Sequence, residues 1–172
     1  MSDAVTIRAA TRADVPKLAA IYNHYVVHSH ATFDVELVSL EARFEWFAHF
    51  SLSGPYRLLV ADHAGEILGY ATSSAFHPKQ VYERSIEVGI YVTSNSFRHG
   101  VGTMLYEELF SSLSMEPSVE RLVAGVTLPN DASVALHLKF GFKPVGTFRR
   151  VSHRNGNFLD LCWLDRPARL AV

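Results

Sequence analysis

The residues able to do chemistry gather between 85 and 110, in the run SIEVGIYVTSNSFRHGVGTMLYEELF. An apolar, β-branched stretch ends in a polar loop, Gly100 and Gly102 follow with one residue between them, and an amphipathic helical pattern begins at once. Several main-chain N–H groups converge at such a helix start and, with the partial positive charge of the helix end, form a seat for a diphosphate. Glycine at those positions lets a phosphate approach the main chain with no Cβ in the way. Glu87 lies on the strand just ahead of the loop, an acid inside an otherwise apolar run. GVGT is not a nucleotide P-loop, because no Gly-Lys-Ser/Thr follows it.

The elements that must position these residues can be read along the chain. Residues 5–9 form a short strand. Thr11-Arg12-Ala13-Asp14 reads as a capping box ahead of a helix whose apolar positions are Val15, Leu18, Ala19, Tyr22, Tyr25 and Val26. A second helix is expected over 40–50, with Phe44 and Phe47 facing inward. Strands over 57–62 and 66–76 are joined by a tight turn at His63-Ala64-Gly65, and 87–93 is the central strand. The helix after the glycines buries Val101, Met104, Leu105, Leu109 and Leu113, a stripe at helical spacing that ends before Pro117. A strand over 121–126 and a short helix over 131–140 follow, the helix closed by Gly141 in a C′ position. Two last strands, 143–151 and 158–164, flank Asn155-Gly156, a strong hairpin signal. Strands interleaved with helices argue for a mixed α/β sandwich.

Composition narrows the class. The chain has 172 residues, 48% hydrophobic and 19% charged, enough to bury a core as one domain spanning 1–172. With a net charge of −1 and scattered Lys and Arg, no nucleic-acid surface is expected. No apolar run approaches the ~20 residues of a membrane span, and no signal peptide is read at the N-terminus. The single cysteine, Cys162, has no partner for an internal disulfide, sits in an apolar strand, and reads as an inert buried thiol; the cytoplasm is the expected compartment. His24, His28 and His30 lie close together, but no acid or thiol stands at ligand spacing around them, so no metal is expected.

The element order, the loop at 97–102 and the run NDASVALHLKFGF at 130–142 resemble the GNAT superfamily of N-acetyltransferases over nearly the whole chain. A narrower similarity, to phosphinothricin and methionine sulfoximine N-acetyltransferases, rests on IYNHYV (21–26), ATF (31–33), IEVGIYV (86–92), LPNDASV (128–134) and GN…D (156–160). The resemblance implies a mixed, mostly antiparallel sheet of about six to seven strands with helices on both faces. Two splayed parallel strands hold acetyl-CoA in such a fold. It implies direct transfer of an acetyl group to the α-amine of a small amino-acid-like substrate. A homodimer is expected, and Phe44, Trp46 and Phe47 read as core and helix face with some contribution to a dimer surface.

Roles follow from the same resemblance. Glu87 would be the base, directly or through water; the alternative is a strand-end glutamate paired with Arg84. A bulged amide in Ile90–Val92 would face the thioester oxygen. Tyr91, Val92, Arg98, His99, Gly100, Val101, Gly102 and Thr103 would hold the cofactor, and Asn130 and Ser133 its pantetheine arm, unless they only cap the helix. His137 stands seven residues after Asn130, where most of the superfamily has tyrosine, and it or water would protonate the thiolate. Phe33, His77, Lys79 and Tyr82 would contact substrate. Two features depart from the pattern. Phe97 replaces the usual Arg or Gln that opens the phosphate loop, and His77 and Lys79 replace two arginines that bind an anionic group, without a guanidinium fork between them. Arg149 and Arg154 either add charge there or are exposed hairpin arginines.

Two other functions stay in view. One is acetylation of a peptide or protein N-terminus, which needs an open groove, whereas Phe33, Tyr82 and Phe158 point to a closed aromatic pocket. The other is a non-catalytic acyl-CoA-binding module, raised by Phe97 in the cofactor loop.

Overall fold

Two-residue turns and strand alternation build the sheet. The computed structural model describes residues 4–94 and 100–169. In chain order the elements are β1 (Thr6–Ala9), α1 (Val15–His28), α2 (Leu40–Phe47), β2 (Leu58–His63), β3 (Glu66–Ala75), β4 (Ser85–Val92), α3 (Val101–Ser114), β5 (Arg121–Leu128), α4 (Asp131–Lys139), β6 (Lys143–Arg154) and β7 (Asn157–Pro167). Asn155 and Gly156 both take positive φ, 49° and 79°, the conformation a two-residue hairpin turn requires between β6 and β7. Short 3-10 turns at Arg12–Asp14 and Gln80–Tyr82 were not foreseen. The Asp14 carboxylate does reach back to the Thr11 amide, at 2.7 Å, as a capping box demands.

The seven strands form one sheet in the order β1-β2-β3-β4-β5-β7-β6. Every neighbouring pair is antiparallel except β4 and β5. That parallel pair holds register only over Ser85↔Arg121, Ile86↔Leu122 and Glu87↔Val123, and the strands then part. The splayed parallel strands and helices on both faces agree with the sequence expectation. One face of β4 sends Ile86, Val88 and Val92 into a core with Val101, Leu105 and Leu109 of α3. On the opposite face Tyr70 of β3 packs with Leu18 and Ile21 of α1, and Trp46, Phe47 and Tyr91 close against it. Each fully buried side chain of this size stabilises the fold by roughly 1.5–3 kcal/mol.

The second helix differs from its reading. It stops at Phe47, and its buried residue is Arg43. The Arg43 guanidinium lies 3.4 Å from the Trp46 ring centroid and donates to the Tyr70 hydroxyl at 2.6 Å. Phe47 packs inward as expected, whereas Phe44 lies under the Arg12 guanidinium, 4.3 Å from its ring centroid. These aromatic positions are therefore used within the fold.

Candidate active site

The opening between β4 and β5 is the feature on which the site is built. Thr93 N–H donates to Leu68 O at 2.8 Å, and Phe76 N–H donates to Ser85 O at 3.3 Å. The β3–β4 register between these points runs without a shift, from Gly69↔Val92 to Ala75↔Ile86. Antiparallel hydrogen bonding alternates along a strand. The main-chain groups of Ser85, Glu87, Gly89 and Tyr91 therefore serve β3, and those of Val88, Ile90 and Val92 point towards β5. Beyond Glu87 that neighbour has moved away, so these N–H and C=O groups line a gap. The Tyr25 hydroxyl confirms the direction by donating to Val92 O at 2.5 Å. The expected bulge in Ile90–Val92 is absent. An unbroken ladder and a diverging parallel strand expose the same amides without one.

A cavity of about 290 Å³ occupies the gap. Its lining includes Val88–Val92 of β4, Gly125–Thr127 of β5, Gly100–Thr103 at the start of α3, Asn130 and Ser133 at the start of α4, and His137 in its last turn. Of the cofactor residues read from sequence, Tyr91, Val92, Gly100, Val101, Gly102, Thr103, Asn130 and Ser133 thus come together. Arg98, His99 and Phe97 lie outside the described residues. Gly100 caps α3 in the left-handed region, φ 65°, with open space where a Cβ would stand. Gly102 serves packing as well: a Cβ there would meet Leu136 Cδ2 at 3.3 Å and Ile90 Cδ1 at 3.6 Å. A fit for a diphosphate is supplied by the amides of the first turn of α3, which have no intrahelical acceptor. Lys139, which the sequence reading missed, donates to Thr103 Oγ1 at 3.1 Å and so brings a cation to the same turn.

Asn130 Oδ1 accepts from Ser133 N–H at 3.2 Å, so Asn130 caps α4 while its residue also lines the cavity. His137 is buried and fully engaged. Its Nδ1 donates to Ser133 O at 2.7 Å, which leaves Nε2 to accept from the Tyr106 hydroxyl at 2.9 Å. Burial lowers the His137 pKa, partly offset by the bond to Ser133 O, so the ring is held neutral. Tyr106, another cavity residue not foreseen, sits fully buried on α3. Nothing short-range in the sequence links it to His137.

Glu87 lies at the last parallel pair, opposite Val123, and is half-buried. By alternation its side chain shares a face with those of Gly89 and Tyr91, which line the cavity, although Glu87 itself does not. Burial raises its carboxyl pKa above the usual range. Among the described residues it has no ion-pair partner, and Arg84 is joined instead to Glu120 at 2.6 Å. The strand-end pairing is therefore not formed.

The substrate-side expectations fare differently. Tyr82 lies tilted against His77, with ring centroids 4.7 Å apart, and meets Phe76 edge-on at 6.0 Å. His77 Nδ1 accepts the Lys79 amide at 3.2 Å, and Lys79 is exposed. Phe33, Tyr82 and Phe158 do not build a closed aromatic pocket: they are 62%, 42% and 53% exposed, and Phe158 stacks on His153 instead. Arg154 is not a free hairpin arginine. It donates to Thr32 O at 3.1 Å, to Asp34 O at 3.1 Å and to Val26 O, which ties the β6–β7 turn to the end of α1 and the segment after it. His30 Nε2 holds that segment to Pro129 O at 2.6 Å, beside Asn130. Among the described residues no group of three or more potential metal ligands occurs, and no helix is long and apolar enough to cross a membrane.

Comparison with known proteins places this geometry. The family description "Acetyltransferase (GNAT) domain" matches residues 7–163. A phosphinothricin N-acetyltransferase from Streptomyces coelicolor is 42% identical over 165 residues, 95% of this chain and 96% of its own. An L-methionine sulfoximine/L-methionine sulfone acetyltransferase from Pseudomonas paraeruginosa is 31% identical over 160 residues, 93% of this chain and 92% of its own. Among solved structures, a phosphinothricin acetyltransferase from Sinorhizobium meliloti, in complex with acetyl-CoA, superposes with a TM-score of 0.89 at 27% identity. That match covers 95% of this chain and 88% of the other.

Proposed function

We propose that this chain, which belongs to the GNAT acetyltransferase family, transfers an acetyl group from acetyl-CoA to the α-amine of a small amino-acid-like substrate. The observation that carries this reading is the unpaired edge of β4, facing a gap, with a half-buried carboxylate at the point where the gap opens. Relatives named for phosphinothricin and methionine sulfoximine support an α-amino-acid acceptor.

Acetyl-CoA, when bound, supplies an acetyl thioester already activated for attack. The first-turn amides of α3, with Lys139 beside them, would hold its diphosphate, and Arg98 and His99 belong to the same proposed set. The main-chain groups of Val88 and Ile90 suit amide groups of a pantetheine arm, Val92 O being taken by the Tyr25 hydroxyl, with Tyr91, Asn130 and Ser133 around it. One of those amides serves as the donor for the thioester oxygen. Glu87 takes the proton of the attacking amine, directly or through water; its raised pKa puts it nearer the working pH of a general base. Proton return to the departing thiolate is assigned to the Tyr106 hydroxyl of the His137–Tyr106 pair, because His137 is neutral and its Nδ1 proton is held by Ser133 O; water is the competing donor. Phe33, His77, Lys79 and Tyr82 form the proposed substrate-facing set.

The working unit is proposed as one domain over residues 1–172, cytoplasmic, and a homodimer. The outer edge of β6, the last strand of the sheet, exposed at Val151, supports a second copy. A thiol-release assay across a panel of amino acids, including phosphinothricin, methionine sulfoximine and methionine sulfone, tests the activity. Acetyl-CoA binding with no amine-dependent thiol release for any of them would reject it in favour of a non-catalytic acyl-CoA-binding module.

A further inference from the structure

A second cavity, of about 530 Å³, lies on the sheet face that carries Glu87 and shares no lining residue with the cofactor cavity. Phe76, Val123, Gly146, Phe148 and Trp163 bound it. Its nearest walls flank Glu87. Val123 is the register partner of Glu87 on β5, and Ser74 is its partner on β3, two residues before Phe76. Neighbouring strands lie ~4.8 Å apart, so an α-amine held at Glu87 lies within about one strand spacing of this space.

The lining selects a chemistry. Trp163 is seated against Gly125, where an added Cβ would meet the ring at 3.2 Å, and Phe76 meets Trp163 edge-on at 5.6 Å. Aromatic faces of this kind favour apolar and aromatic groups. Asp165 is the charged residue in the lining, and it is already paired with Arg121. Among the described lining residues an anionic side chain would find that carboxylate and no cation, Arg121 beside it being already paired. The cations of the loop beyond β3, His77 and the exposed Lys79, lie outside the lining of this cavity.

We propose that this second cavity receives the side chain of the amine substrate, and that the preferred substrate is an α-amino acid with a bulky apolar or aromatic side chain rather than an anionic one. The inference rests on the acetyl-transfer reading, and its test separates the two. Initial rates would be measured for phenylalanine, leucine, methionine, alanine, glutamate and phosphinothricin. Calorimetric binding of N-acetylphenylalanine and N-acetylalanine, in the presence of CoA, would run beside them. Two variants narrow the cavity from opposite walls: Val123→Phe, and Gly146→Leu at a position where a Cβ meets nothing within 4 Å. One methylene in an apolar pocket is worth roughly 10–200-fold. Phenylalanine and leucine should therefore exceed alanine and glutamate in kcat/KM by at least about tenfold. Either variant should cut the phenylalanine-to-alanine ratio by a similar factor. Turnover with a flat profile, a preference for glutamate or phosphinothricin, or a ratio unmoved in both variants overturns the proposal and leaves acetyl transfer standing. Apolar binding that the variants abolish, without turnover of any amine, sustains the cavity assignment and rejects acetyl transfer. A dimer in which Val123→Phe and Gly146→Leu weaken association and leave the ratio unchanged shows a second copy filling the space, and also overturns it.

Discussion

Replacing Glu87 with glutamine separates a catalytic carboxylate from a structural one, because the two roles predict opposite effects on stability. The side chain is half-buried with no ion-pair partner among the described residues, and burial alone raises its pKa. A carboxyl whose folded pKa exceeds its unfolded value of about 4.3 adds stability in full below that value. The contribution is lost as pH rises through the folded pKa. At pH 7–8 the ionised form is therefore a burden on the fold, and glutamine removes it. The melting temperature of Glu87→Gln should match or exceed that of the wild type. Loss of a structural contact worth ~1 kcal/mol would instead lower it by about 2–4 °C in a chain of this size.

Activity should move the other way. Loss of a positioned base costs ~10²–10⁴-fold in kcat/KM, equivalent to about 3–5 kcal/mol of transition-state stabilisation. The pH profile carries the sign. A base acts when ionised, so wild-type kcat/KM rises with pH through the Glu87 pKa, which lies above the ordinary carboxylate range. The free amine, with a pKa of about 8, adds its own limb. Log kcat/KM should climb with slope two below the Glu87 value and slope one between the two pKa values. In Glu87→Gln the slope should stay at one throughout, with partial recovery at high pH. Rates within threefold of wild type near pH 7, a retained second limb, or a clear drop in melting temperature would each refute the assignment.

Three further outcomes are expected. Gly100→Val places a β-branched residue at φ 65°, which should cost at least 1–2 kcal/mol, lower the melting temperature by roughly 2–8 °C and raise the acetyl-CoA Kd several-fold; unchanged calorimetric binding would reject the α3 cradle. Lys139→Ala should weaken acetyl-CoA binding several-fold at low salt and flatten its salt dependence; an identical salt profile would remove Lys139 from the diphosphate site. Tyr106→Phe leaves His137 Nε2 without its donor in a buried setting, at a cost of about 1–3 kcal/mol, and should lower kcat more than it changes the acetyl-CoA KM. Unchanged kcat would exclude the pair from thiolate protonation.

What could be read in the sequence was local. The capping box at Thr11–Asp14, the Asn155-Gly156 turn and the start of α3 after its glycines each depend on a few neighbouring residues, and each formed. The residues that were missed depend on chain distance. Tyr106 and His137 are 31 positions apart and share no pattern until α3 and α4 pack together. Arg154 reaches Thr32 across 122 positions, and Arg43 is buried only because Tyr70 and Trp46 supply a hydroxyl and a ring face. The aromatic pocket of Phe33, Tyr82 and Phe158 failed for the same reason. Ring type is visible in the sequence, but which ring each one meets is not.

The central strand explains why cofactor and amine can be handled by adjacent residues without competing. A β-strand presents side chains on two faces and main-chain groups along two edges. In β4 one face is given to the α3 core through Ile86, Val88 and Val92, and one edge to β3 through alternate hydrogen bonds. The remaining edge, at Val88, Ile90 and Val92, opens on the gap and suits a linear chain of amides. The remaining face holds Glu87, Gly89 and Tyr91, with the second cavity beyond Val123. Gly89, next on this face after the carboxylate, lines the first cavity with no side chain of its own, and a Cβ there would meet Thr72 Oγ1 at 3.1 Å. In the proposed reaction an amine at Glu87 would approach a thioester along the open edge from the side. The single divergence of β5 creates both halves of the site at once. A substitution that extended the β4–β5 pairing past Glu87 would close the cofactor gap and leave the carboxylate in place.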